Sequence, residues 1–164
     1  MMGLPDAAAT TGQMRERRRS DYPVLRTTPL RWADVDTYGH VNNAVHYLLM
    51  DTAINGWLGE AVGVDIRSEL SGFAVVAETG CRYLREIHFP ATPELGIRLE
   101  GTGHSSVRYE VGFFTDDEGP VALARFVHVY VDHVTRRPTG IPAEVRRALD
   151  ALREPRDVRP PHLG

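Results

Sequence analysis

The strongest constraint on this chain is a change in its hydrophobic period. Across residues 44–60, Val45, Leu48, Leu49, Thr52, Ala53, Gly56 and Trp57 recur at three- and four-residue spacing, which stacks them along one side of an α-helix. His46, Asp51, Asn55 and Glu60 fall off that stripe. The chain that follows reads as extended segments. Residues 73–89 are rich in Val, Thr, Tyr and Ile and are interrupted by Gly80, where a long strand has room for a bulge. Residues 95–102 alternate Ile97 and Leu99 with Arg98 and Glu100; residues 107–115 return; residues 121–134 alternate Val127, Val129 and Val131 with His128, Tyr130 and Asp132. Residues 101–106 and 116–119 are the turns between them. A long helix cannot bury its stripe alone, and four segments able to pair antiparallel supply the opposing layer, so the expected class is α+β. Residues 142–152 add a short helix with Val145, Ala148, Leu149 and Leu152 on one side and Pro142 at its start.

The residues leading into the long helix carry an unusual density of chemistry. Asp34, Asp36, Gly39, His40, Asn42 and Asn43 form a polar loop, and Asn42 or Asn43 can cap the helix by accepting from its free first-turn N–H groups. Those N–H groups, with the positive end of the helix dipole, favour an oxyanion or a polarised carbonyl oxygen. Residues 24–34 read as a strand, which aims Asp34 and Asp36 to the same side.

The pattern Arg31-x-x-Asp34-x-Asp36-x-x-Gly39-His40-Val41-Asn42-Asn43-x-x-x-Tyr47, followed by a long helix, resembles the signature of the hotdog-fold thioesterases. The branches it is most similar to are the 4-hydroxybenzoyl-CoA thioesterase-like enzymes and the acyl-ACP thioesterases. The resemblance covers residues 22–141. It implies a hotdog fold, an antiparallel sheet wrapped around one central helix, and hydrolysis of an acyl-CoA or acyl-carrier-protein thioester. By this resemblance Asp36 is the catalytic carboxylate, and the backbone amides of Val41, Asn42 and Asn43 bind the thioester oxygen. A sheet covered on one side only leaves an apolar outer face that invites a partner, so a homodimer, or a homotetramer built as a dimer of dimers, is expected, and the resemblance implies active sites at the subunit boundary. No metal and no cofactor beyond the CoA of the substrate are implied. There are two departures from the pattern. Tyr38 stands where acyl-ACP thioesterases often have Asn, and Gly103, His104 and Ser105 stand before Ser106 where the other branch has basic residues for the nucleotide phosphates.

Around these residues the expected roles are as follows. Asp36 acts as general base or nucleophile, and His40 orients it or the thioester. Asp34 is structural, paired with Arg31 or with backbone N–H groups. Tyr38 and Tyr47 wall the acyl pocket, and Ser106 belongs to the substrate-binding set. Glu86 resembles a glutamate assigned to catalysis in acyl-ACP thioesterases. A hydratase or dehydratase of the same fold, or a non-catalytic acyl-thioester binding domain, are the competing readings.

The remaining sequence narrows the setting. A formal net charge of −3 over 164 residues gives no basic footprint for nucleic acid. The single cysteine, Cys81, rules out an intrachain disulfide and a Cys-rich metal site, and the histidines lack paired zinc spacing. No Gly-x-Ser-x-Gly nucleophile elbow occurs. No apolar run reaches the roughly 20 residues of a membrane span, and residues 7–9 do not make a signal core. A cytoplasmic location is expected. Residues 1–21, with Arg15, Arg17, Arg18 and Arg19, are expected to form a flexible tail, residues 22–153 one domain, and residues 154–164 a C-terminal tail.

Overall fold

The computed structural model describes residues 14–116 and 119–153. In chain order it contains β1 (Val24–Thr27), α1 (Asn43–Val62), β2 (Phe73–Tyr83), β3 (Glu94–Thr102), β4 (Ser106–Phe114), β5 (Ala122–Val131) and α2 (Ala143–Asp150), with single 3-10 turns at Arg19–Asp21 and Trp32–Asp34. The strands form one five-stranded sheet in the order β1-β3-β4-β5-β2, every pair antiparallel. β3, β4 and β5 are a meander. β2, first in sequence of the long strands, crosses to the far edge and pairs with β5. This is the expected α+β hotdog arrangement.

α1 packs its buried residues His46, Leu49, Met50, Ala53, Ile54, Trp57 and Leu58 onto the sheet face formed by Ile97, Tyr109, Val111, Phe113, Ala124 and Phe126. Each large apolar side chain so removed from water contributes roughly 1.5–3 kcal/mol. The stripe is rotated from the sequence expectation. His46 is 4% exposed, whereas Leu48 is 51% exposed. Met50, Ile54 and Leu58 widen the buried face beyond the stripe read from sequence, and Leu48 is left on the open side.

Two other expectations change. The irregularity in β2 lies between Val76 and Glu78, not at Gly80, which stays in register opposite Arg125. The outer sheet face is not an open apolar surface. Tyr22 lies fully buried against Gly96 and Gly112, where a Cβ on either glycine would collide with its ring. Its hydroxyl donates to Glu110 at 2.8 Å, and Glu110 also pairs with Arg17 at 3.0 Å and Arg98 at 3.1 Å. Arg19 pairs with Glu94 at 2.7 Å. Residues 14–21 are therefore laid across the sheet rather than free as a tail, because β3 and β4 present carboxylates that match the arginines. The rest of the expected N-terminal tail, the C-terminal tail from residue 154, and the centre of the turn at 116–119 lie outside the described residues.

Candidate functional site

The segment before α1 is not the long strand expected from sequence. β1 stops at Thr27, and the chain enters a 3-10 turn capped by its own Asp34. The Asp34 carboxylate accepts from Arg31 N at 2.7 Å and from the Arg31 guanidinium at 2.7 Å. The Arg31 hydrogen bond is the largest cause holding this carboxyl below the usual range. Asp34 is 3% exposed. It thus has the structural role expected of it and takes its partners within the turn, whereas the Asp36 carboxylate takes its own in the loop that follows.

The chain then folds back. Val35 bridges to Val41, Asp36 N donates to His40 O at 3.0 Å, and Gly39 N donates to Asp36 O at 3.1 Å. Gly39 has φ 89°, a left-handed conformation that a residue without a Cβ adopts freely. One Asp36 oxygen accepts from Tyr38 N at 2.8 Å. The other lies 3.6 Å from His40 Nδ1, and His40 Nε2 lies 3.8 Å from a Glu86 oxygen. An imidazole thus stands between two carboxylates. The chain continues through Glu86 to His88, 3.6 Å apart. His88 Nδ1 lies 3.1 Å from Gly39 O, and because a carbonyl only accepts, that nitrogen carries the proton.

The loop delivers its end to α1. Asn42 is the N-cap, its side chain accepting from Ala44 N at 2.9 Å. Of the three amides expected to receive a thioester oxygen, two are already used: Val41 N donates to Ile87 O at 2.8 Å and Asn42 N to Asp34 O at 2.9 Å. Asn43 N, the first helical donor, has no partner among the described residues. The site narrows to this one amide with the dipole behind it. Beside it, the Tyr83 hydroxyl donates to Asn43 O at 3.0 Å, and burial raises that phenol above its ordinary value.

Tyr47 is half-buried against the core. Tyr38 is 83% exposed and stacks on His40 at 6.1 Å. Trp32 and Phe89, both exposed, meet edge to face at 5.7 Å and tie the Asp36 loop to the Glu86–His88 segment. Asp36, Tyr38, His40, Val41, Asn42, Asn43 and Tyr47 therefore come together at one end of α1. Ser106 does not join them. It opens β4 opposite Val129, and its neighbour Ser105 accepts from Tyr130 N, at the other end of the sheet from Tyr83.

His88, Tyr83 and His46 belong to this end of the molecule without having been read into it from sequence. Tyr83 and His46 meet at 4.9 Å, and burial lowers the His46 pKa. The Glu86-x-His88 spacing in an extended stretch is the one local signal available. Cys81 on β2 is half-buried, with its thiol pushed up to about 11 by burial, so it stays protonated at neutral pH. Among the described residues no group of three or more His, Cys, Asp or Glu is gathered to hold a metal ion, and no helix is long and apolar enough to cross a membrane.

Comparison with known proteins gives a consistent set of likenesses. The sequence pattern of the thioesterase-like superfamily matches residues 30–149. The PA5185 protein of Pseudomonas aeruginosa is 39% identical, with 82% of this chain and 94% of that one covered and a TM-score of 0.77. A Thermus thermophilus thioesterase solved with coenzyme A and zinc is 31% identical, with 80% of this chain and 95% of that one covered and a TM-score of 0.69. An L-carnitine dehydrogenase/betainyl-CoA thioesterase of Agrobacterium fabrum is 26% identical over 89% of this chain. The chain spans 31% of the length of that relative.

Proposed function

The chain belongs to the thioesterase-like superfamily, and from that premise we propose that it hydrolyses the thioester of an acyl-CoA, or of an acyl carrier protein, to a free acid and a thiol. The observation that carries this reading is the placement of Asp36, paired with His40, on the loop that runs directly into the first turn of α1. The carboxylate is 21% exposed beside His40, and Asn43 N, the one of the three expected amides without a partner among the described residues, opens the helix. In this reading the thioester oxygen accepts from Asn43 N, where the helix dipole stabilises the charge that develops on it. Asp36 either takes a proton from the attacking water or attacks the carbonyl itself, expelling the thiolate to give a mixed anhydride that water then hydrolyses to the free acid and the regenerated carboxylate. His40, between Asp36 and Glu86, orients the carboxylate and offers a path for the proton towards the departing thiolate. The reaction as written calls on no cofactor beyond the CoA already in the substrate.

The proposal includes a homodimer, with a dimer of dimers as its larger form. What supports it is β2, a sheet-edge strand whose Val75 and Val76 are 38% and 50% exposed and whose outer hydrogen-bonding side pairs with no strand among the described residues. Two such edges joined antiparallel about a two-fold axis make a continuous sheet. Such a pairing also sets the Ser106 end of one protomer beside the Asp36 end of the other, which brings Ser106 back into the substrate-binding set. The coenzyme A in the Thermus thermophilus thioesterase supports CoA as the carrier.

The test is a panel of acyl-CoA and acyl-carrier-protein thioesters followed for free thiol. Thiol release from at least one sustains the reading. Hydration of an enoyl thioester without thiol would favour a hydratase, and saturable binding with neither product a non-catalytic binding domain.

A further inference from the structure

About 20 Å along the α1 axis from Asn43, by the helical rise to Asn55 and Leu58, the structure has a cavity of about 370 Å³. That size suits part of a small organic ligand. Leu58, Ile66, Leu70 and Phe73 make an apolar lining, and Tyr130 contributes to the wall. Tyr130 is fully buried and its hydroxyl has no hydrogen-bond partner among the described residues. The basic side chains here are not equivalent. Arg67 is held by Asp65, with Nε and Nη2 at 3.0 and 3.1 Å from its two oxygens. The ring nitrogen Nε2 of His133 lies 2.9 Å from Leu70 O. Arg136 has no carboxylate partner among the described residues, and its guanidinium lies 4.7 Å from the centre of the Phe73 ring. The cavity therefore combines an apolar lining with a guanidinium and a phenol that both lack partners among the described residues.

β2 connects this cavity to the Asp36 loop. Tyr83, at one end of the strand, bonds to Asn43, while Phe73, at the other end, lines the cavity. Antiparallel pairing of two β2 edges about their middles runs the Phe73 end of one protomer alongside the Tyr83 end of the other. The cavity of one protomer then opens at the same end as the partner's reacting carboxylate.

We propose that this cavity receives the far end of the acyl group and that this end is a carboxylate, so that the substrate is the monothioester of a dicarboxylic acid. The hydrocarbon body lies on Leu58, Leu70 and Phe73, and the terminal carboxylate pairs with Arg136. A neutral acyl end leaves that guanidinium without an anion. The inference rests on the thioesterase reading and on the dimer, and it adds the class of acyl group.

The experiment compares adipoyl-CoA with hexanoyl-CoA, which have the same chain length and differ by the terminal carboxylate. The full chain is expected to favour adipoyl-CoA in kcat/KM by roughly tenfold to a hundredfold, the worth of one charge-assisted contact. Arg136→Gln is expected to bring the ratio of the two close to one, and Arg136→Lys to restore part of it. A wild-type ratio near one, or a preference that Arg136→Gln leaves intact, overturns the proposal. So does an equal loss on both thioesters in Arg136→Gln with weaker inhibition by free CoA, because the cation then serves the CoA phosphates. If neither thioester is hydrolysed, the thioesterase reading is what fails. Calorimetric affinities for the same pair then decide the cavity: tighter adipoyl-CoA binding that Arg136→Gln abolishes upholds it, and equal affinities overturn it.

Discussion

Lowering the pH should destabilise this fold through one buried histidine. His128 on β5 is 2% exposed, lying edge-on to Tyr109 at 5.7 Å and to Phe126 at 4.9 Å. Its neighbours across the sheet are Val107 on β4 and Val76 on β2, and no carboxylate pairs with it among the described residues. Nδ1 has no hydrogen-bond partner among the described residues. Burial therefore penalises the imidazolium and lowers the pKa from 6.5 to about 4. Between those two values the unfolded chain binds a proton that the folded chain refuses. Stability is thus complete above 6.5, falls as the pH drops, and stops falling on this account below about 4. At about 1.4 kcal/mol per pH unit the loss comes to about 3 kcal/mol. The assay is urea unfolding from pH 7.5 to 3.5 at fixed protein concentration, for the wild type and for His128→Leu. His46, also lowered by burial, and the carboxylates titrate in both proteins, so their share largely cancels in the difference. The variant should lose about 3 kcal/mol less than the wild type across the window. Parallel pH dependences would refute the reasoning, because the imidazolium would then be as well accommodated in the fold as in water.

Two further substitutions probe other parts of the account. Tyr22→Ala should cost about 3–5 kcal/mol, as expected for emptying a fully buried ring site, and Tyr22→Phe, which loses only the hydroxyl bonded to Glu110, about 1–2 kcal/mol; unfolding midpoints give both, and equal losses would mean that the ring packing over Gly96 and Gly112 contributes little. Asn43→Pro removes the free amide while leaving the helix intact, since proline is favoured at a first helical position and Asn42, at φ −56° and ψ 136°, already has the backbone that a following proline requires. Turnover should fall by roughly a hundredfold to a thousandfold with helix content unchanged by circular dichroism, and a near-normal rate would remove this amide from the site.

The elements that could be read from sequence are those fixed by local period. α1, β3, β4, β5 and α2 occur where the apolar spacing put them, because each is long enough for its repeat to exceed chance. What could not be read depends on partners distant in the chain. Whether His46 or Leu48 faces inward is decided by which strands lie under α1, and the stripe alone does not contain that. Arg17 looks like a tail residue until Glu110, 93 positions away, is seen opposite it. The stretch ending at Asp34 looked extended because a 3-10 turn capped by its own aspartate leaves no hydrophobic period to distinguish it from a strand end. The Asp36 loop itself was legible, since its residues bond mostly to one another. Glu86 and His88 reach it only through folding. The same holds for the amides: Val41 N is taken by Ile87 O, 46 positions on, which no local pattern reveals.

The central claim is that the Asp36 carboxylate does the chemistry, and the most direct measurement is the turnover of Asp36→Asn on whichever thioester the wild type hydrolyses fastest, with substrate affinity determined alongside. The account predicts a fall in kcat of at least about a hundredfold, with binding of the thioester retained. Near-normal turnover, or a loss confined to substrate affinity, would contradict it.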